Sequence, residues 1–251
     1  FVGLNNFIQL FGNPVLRMNL LRVLRNTIGI HFLGYCFSLL PMLLAVFLSE
    51  MKSKRFQRLV QSITTLPHFI SWVIMFSLAS SFFGPTGLIN TLLKQAGTET
   101  VINILNSPNN VWITQVMLQL WKDLGWNAIV YFAALSGLDQ EIYEAARVDG
   151  AGRAAAIWHI TLPLLLPTYF VLMVISIGNF LNMGIDQYLA FGNALNKEYI
   201  EILDLYVYNI GIGGGQISYS VAVGVMKSVV AIILFSTANL ASKKIRGESV
   251  F

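Results

Sequence analysis

The chain predicts an all-α membrane protein, a polytopic helical bundle, and three observations lead there. Of its 251 residues, 55% are hydrophobic and only 11% are charged. A soluble domain carries about 25% charged residues, so this chain lacks the charge to solvate a globular surface. The mean hydropathy is +0.66. Apolar runs near 27–49, 64–83, 111–135, 164–185 and 218–240 each approach or exceed the length needed to cross a bilayer. A helix needs roughly 20 residues for a ~30 Å hydrocarbon core. The runs show no period-two alternation and lipid satisfies no backbone group, so helices are expected and barrel strands are not.

Each run carries its own qualification. Pro41, Pro67 and Pro167 lie in or near the first, second and fourth. Bundles tolerate such kinks when neighbours satisfy the freed carbonyls. Lys122 and Asp123 sit near the middle of the third, and Lys227 near the middle of the fifth. Intramembrane charges face a cavity or a partner helix. Adjacent helical positions diverge by about 100°, so Lys122 and Asp123 are not expected to pair with each other. Backbone carbonyls or another subunit are their expected partners. Residues 1–26 read as an outer-face, interfacial segment, and 27–251 as a single transmembrane domain. Gly211 to Gly215 read as a loose turn before the last span, with no phosphate-cradling spacing.

Several function classes fall away. The net charge of +4 has no basic patch interleaved with exposed aromatics, so nucleic acid is not indicated. Cys36 is alone and lies in an apolar run, which excludes an internal disulfide and points to packing. The histidines are scattered and no metal site is expected; His31 and His68 read as packing or interface residues. An intramembrane enzyme would need HExxH, GxSxG or paired intramembrane aspartates, and none occurs. An ion-coupled secondary transporter remains the alternative, although only Asp123 offers a midplane carboxylate.

Basic residues set the orientation. Lys52, Lys54, Arg55, Arg58, Arg147, Arg153, Lys243, Lys244 and Arg246 fall in one set of connections. Lys94 and Lys197 fall in the other, with Arg17, Arg22 and Arg25 ahead of the first run. The bias makes 136–163 and the C-terminus cytoplasmic. Phe1 in place of an initiator Met, with an outward N-terminus, leads to the expectation of a sixth, N-terminal span.

The most informative segment is 136–163. Glu144, Arg147 and Asp149 cannot lie in lipid, so it is a surface loop between two spans. Asp139 can cap a short helix with Glu141 in its first turn. Ala145 and Ala146 keep one side thin enough for close approach by a partner. Asp149-Gly150 is a turn signal, and Pro163 and Pro167 mark entry to the next span.

Glu144-Ala145-Ala146, then Gly150, then Ile160, Leu162 and Pro163 resemble the EAA loop of binding-protein-dependent ABC importer permeases. Further resemblance to the carbohydrate and polysaccharide subgroup lies in Leu66-Pro67-His68-Phe69-Ile70-Ser71-Trp72. Ala222-Val223-Gly224-Val225-Met226-Lys227-Ser228, Val2 to Phe7, and the tail Lys243 to Ser249 add to it. The resemblance implies the type I ABC importer permease fold in a bacterial or archaeal inner membrane. It implies a transport subunit and not an enzyme, forming half of a translocation pathway. The implied partners are a second homologous permease, two ATPase subunits and an extracytoplasmic solute-binding protein. No cofactor is expected in this chain; ATP and Mg belong to the ATPase. Glu141, Glu144, Ala145, Ala146, Asp149, Gly150 and Ala151 are the implied ATPase contacts.

The implied cargo is a carbohydrate, an oligosaccharide, with an acidic one among the candidates and a peptide as the non-sugar alternative. A sugar path needs aromatic faces and groups that bond hydroxyls. Gln119, Trp126, Asn127 and Tyr131 supply them in the third run. Asn179, Asn182, Asp186 and Gln187 supply them at the end of the fourth.

Overall fold

The computed structural model describes residues 4–98 and 100–246; Val2 and Gly3, and Gly247 to Ser249 of the tail motif, lie outside the described residues. Among the described residues the secondary structure is helical throughout. In order these are α1 (Asn5–Gly12), α2 (Pro14–Tyr35), α3 (Leu40–Ser49), α4 (Lys54–Thr65), α5 (Trp72–Phe83), α6 (Leu88–Gln95) and α7 (Val111–Ser136). Then come α8 (Gln140–Val148), α9 (Arg153–Ala156), α10 (Leu162–Gly178), α11 (Asp186–Phe191), α12 (Lys197–Ile200), α13 (Leu203–Tyr208) and α14 (Ile217–Arg246). The all-α polytopic bundle is therefore present.

Four helical runs among the described residues are long and apolar enough to cross a membrane: Pro14–Ser49, Trp72–Gln95, Arg153–Gly178 and Ile217–Leu240. The fifth expected span is α7, a single helix of 26 residues. Its length suffices to cross, but Gln115, Gln119, Lys122, Asp123 and Asn127 make it less apolar than the others. The run expected over 64–83 is divided. Residues 54–65 are already helical, a 3₁₀ turn covers Leu66–Phe69, and α5 starts at Trp72. Pro67, which has no N–H to donate, explains the break. The segment 50–63, read as a loop from its charges, is thus mostly α4, started by Ser53 accepting from the Phe56 N–H at 3.3 Å.

The chain forms two compact units. One comprises 1–35, 70–118 and 178–237. Its core joins Leu10, Leu20, Val23, Leu181, Leu203, Tyr206, Tyr219 and Val223. The fourth run, expected to 185, ends as helix at Gly178, and the stretch after it is a folded insertion held on α2. Arg22 pairs with Glu201 at 2.5 Å, and Asn26 donates to the Glu198 and Glu201 carbonyls at 2.8 and 3.0 Å. Thr27 Oγ1 accepts from the Leu203 N–H at 2.9 Å. The Arg25 guanidinium lies over the Trp112 and Tyr199 rings. Burial raises the Tyr188 and Tyr206 hydroxyl pKa values in this insertion. Before the last span, Asn209–Gly213 make a π-turn and Gly215 takes φ +67°.

The other unit comprises 36–69, 119–177 and 238–251. Its core joins Met42, Ala45, Val46, Ala128, Tyr131 and Leu165. Here α4 and α7 touch backbone to backbone: a Cβ on Gly125 would stand 2.3 Å from the Thr64 carbonyl. Only glycine permits that approach.

Overpacking costs about 1–3 kcal/mol, so Gly125→Ala should lower the melting temperature of the detergent-solubilised protein. A Cβ on Gly224 meets nothing within 4 Å. Gly224→Ala should hold or raise the melting temperature, because alanine is the better helix former.

Candidate functional site

The elbow between α7 and α10 is built from local rules. Asp139 takes an extended backbone and its Oδ1 accepts from the Glu141 N–H at 2.9 Å. Glu141 in the first turn and Arg147 in the last both complement the helix dipole. The far end of α8 closes as a Schellman motif. Ala151 N–H donates to the Ala146 carbonyl at 2.8 Å and Gly150 N–H to that of Arg147 at 3.0 Å. Gly150 adopts φ +84°, the left-handed region that disfavours any Cβ.

Almost nothing covers α8. Glu141, Glu144, Ala145, Arg147, Asp149 and Gly150 are exposed, Ala146 and Ala151 half-buried, and Val148 is 88% exposed. The tether is Tyr143, whose hydroxyl meets the buried Thr161 Oγ1 at 3.0 Å. The segment expected as a surface loop to 163 is shorter, because helix resumes at Arg153 and runs to Gly178. Ile157–Thr161 form a π-turn within it. That widening sits directly before Pro163, whose ring would press on a regular preceding turn. The elbow is one free-standing helix joined to the foot of a span.

The charged residues of the spans find partners. Lys122 Nζ donates to the Pro67 carbonyl at 3.2 Å and also to the His68 carbonyl. Asp123 Oδ1 meets His68 Nδ1 at 2.9 Å. The adjacent pair therefore brackets the turn that Pro67 opens, as expected for charges that do not face each other. His68 stacks on Trp126 with ring centroids 4.3 Å apart and planes within 4°. Lys227 pairs with Asp204, whose other oxygen accepts from the Met183 and Gly184 N–H groups at 2.9 and 3.2 Å. The sequence reading missed Asp204, Glu201 and Asn26, since each is recognised only through its distant partner.

The candidate path residues divide between the units. Gln119, Trp126 and Asn127 are exposed on α7; spacings of seven and eight give them a common face. Tyr131 lies in the apolar core of the same unit. In the other unit Asn179, Asn182 and Asp186 are exposed. Gln187 is buried and donates to the Gln115 carbonyl at 2.8 Å and its Oε1 at 2.9 Å. Tyr131 and Gln187 are thus engaged in packing.

The family of binding-protein-dependent transport system inner membrane components matches residues 38–247, which contain the whole elbow and its flanking spans. The chain belongs to this family. It is 42% identical over 253 residues to Protein LplB of Bacillus subtilis (strain 168), across 100% of this chain and 78% of that protein. It is 40% identical over 255 residues to the polygalacturonan/rhamnogalacturonan transport system permease protein YteP of the same organism, across 100% and 77%. Among solved structures, it matches a chain of a bacterial ABC transporter involved in import of the acidic polysaccharide alginate. The TM-score is 0.90 at 32% identity, covering 98% of this chain and 85% of that one. The permease has the type I ABC importer fold that the elbow residues led the sequence to resemble.

Removing the Lys122 ammonium would leave two carbonyls without a side-chain donor, each worth about 1–3 kcal/mol when buried. Lys122→Met is expected to lower the melting temperature of the permease in detergent more than Lys122→Arg, which keeps a donor. Equal melting of wild type and Lys122→Met would show that the carbonyls have other donors.

Proposed function

We propose that the permease forms half of the translocation pathway of an ATP-driven importer of an acidic oligosaccharide, and that α8 is its contact with the ATPase. The observation that carries the coupling role is the state of α8: capped at both ends, tethered through Tyr143, and bare elsewhere. A helix held this firmly with almost no buried surface of its own is shaped for a surface from outside the chain. Glu141, Glu144, Ala145, Ala146, Asp149, Gly150 and Ala151 are the contacts. The small side chains at 145 and 146 admit close approach. The foot of the Arg153–Gly178 span then receives whatever displacement the contact imposes.

Family membership supports a solute-binding protein on the outer side, a second permease and two ATPases that hold ATP and Mg. The distribution of basic residues favours α8 and the C-terminus on the cytoplasmic side. Arg22 and Arg25, which weighed against that orientation, are used in packing on the folded insertion. Relatives named for polygalacturonan and alginate transport favour an acidic sugar polymer fragment as the cargo.

The test is ATP hydrolysis by the complete complex in proteoliposomes, with and without loaded binding protein, for wild type and Gly150→Pro. Proline cannot take the φ of +84° found at Gly150, so the α8 end must rearrange. Stimulated hydrolysis should fall at least tenfold in the variant while the complex still assembles. Normal coupling in Gly150→Pro would remove α8 from the mechanism.

A further inference from the structure

The two lysines that the spans carry are both committed. Lys122 is held by the Pro67 and His68 carbonyls and Lys227 by Asp204. Neither is available to read charge on a cargo. Free cations lie instead on α4, where Lys54, Arg55 and Arg58 are exposed and, among the described residues, no carboxylate pairs with them.

Helical spacing gives α4 three faces. Gln57, Val60, Gln61 and Thr64 turn toward the protein, with the Thr64 backbone against Gly125. Phe56, Leu59 and Ile63 form an apolar stripe, between 51% and 60% exposed. Lys54, Arg58 and Ser62, four residues apart, form a polar ladder. In a chain solvated by lipid, the apolar stripe suits acyl chains, whereas the cations require water or an anion. At the C-terminal end of α4, Gly125 brings α7 into contact, and the next residue is Trp126. Its ring is fixed against His68 and still 42% exposed.

We propose that the Lys54-Arg58-Ser62 ladder and the Trp126 indole form the segment on which this permease recognises a uronate-type oligosaccharide in transit. This rests on the acidic cargo proposed above. Four helical residues rise about 6 Å, and the long Lys54 and Arg58 side chains extend that reach, so the two cations can meet two carboxylates of one oligomer. The Arg58 guanidinium offers a planar fork that a carboxylate fills with two hydrogen bonds. Ser62 suits a ring hydroxyl, and the indole face suits the apolar C–H face of a sugar. An anionic lipid headgroup could use the same cations, and the lipid arms of the experiment separate it from a sugar.

The experiment uses the complete complex in nanodiscs of neutral and of anionic lipid. Labelled oligogalacturonate and its carboxyl-reduced, neutral counterpart of equal length are titrated against wild type and the double variant Lys54→Gln/Arg58→Gln. In both lipids the variant should bind oligogalacturonate at least tenfold more weakly and the neutral oligomer unchanged. Trp126→Leu should weaken both oligomers. Equal loss for the two sugars in Lys54→Gln/Arg58→Gln, or no loss, overturns the proposal. So does an effect confined to anionic lipid, which would make α4 a headgroup anchor. Stimulation of ATP hydrolysis by oligogalacturonate-loaded binding protein is measured in parallel. If wild type shows none, the acidic cargo reading fails and this proposal falls with it. If stimulation is normal and the ladder makes no difference, this proposal alone fails.

Discussion

A helix that stops short inside an apolar bundle leaves its last carbonyls without backbone donors, and much of one unit is organised around that constraint. At Pro67 the helix gives way to a 3₁₀ turn, and Lys122 donates to the Pro67 and His68 carbonyls, which a helix continuing through Ser71 and Trp72 would have paired. Its neighbour Asp123 anchors the His68 ring, which in turn fixes Trp126. The close crossing of α4 at Gly125 brings the lysine within reach. Two charges in the middle of an apolar helix are costly unless each has a partner. Here both partners are on one turn, so the charge and the break justify each other.

The same economy operates in the other unit, where the chain leaves a span and not where a helix breaks. Asp204 gathers two backbone N–H groups at Met183 and Gly184 and pairs with Lys227. Glu201 draws on Arg22 and Asn209, with its carbonyl taken by Asn26. These contacts turn what composition marks as a connecting loop into a folded insertion on α2. They also give Arg22 and Arg25, near the start of the Pro14–Ser49 run, a structural use on the insertion. Arg22 and Arg25 are structural groups, and their position reflects packing.

What was legible in the sequence depended on whether its cause is local. The apolar runs, the Asp139 cap and the left-handed Gly150 are set within a few residues, and all were readable. The start of α4 was not, because its charges outweigh its apolar stripe in a simple hydropathy reading, and only the helical period reveals it. The division of 64–83 was half visible: Pro67 announces a break, but the resumption at Trp72 needs Ser71 as a cap. Asp204 and Glu201 were invisible, since their partners lie 23 and 179 residues away. The candidate path shows the same limit. Gln187 has the chemistry to meet a sugar, and only the fold shows that it meets Gln115 instead.

The elbow follows from a different balance. A nine-residue helix is marginal in water by itself, because nucleation costs more than so few hydrogen bonds return. With no apolar face buried, α8 relies on its cap, its Schellman closure and the Tyr143–Thr161 contact. Each is modest, and together they order the helix before any partner arrives. A partner then finds the surface already formed and need not supply the entropy of folding it. Tethering through Thr161, at the foot of a span, gives the coupling role proposed for α8 a direct link to the Arg153–Gly178 helix. Local order without burial is what the proposed coupling role requires, and residues 139–161 hold the cap, the closure and the tether that supply it.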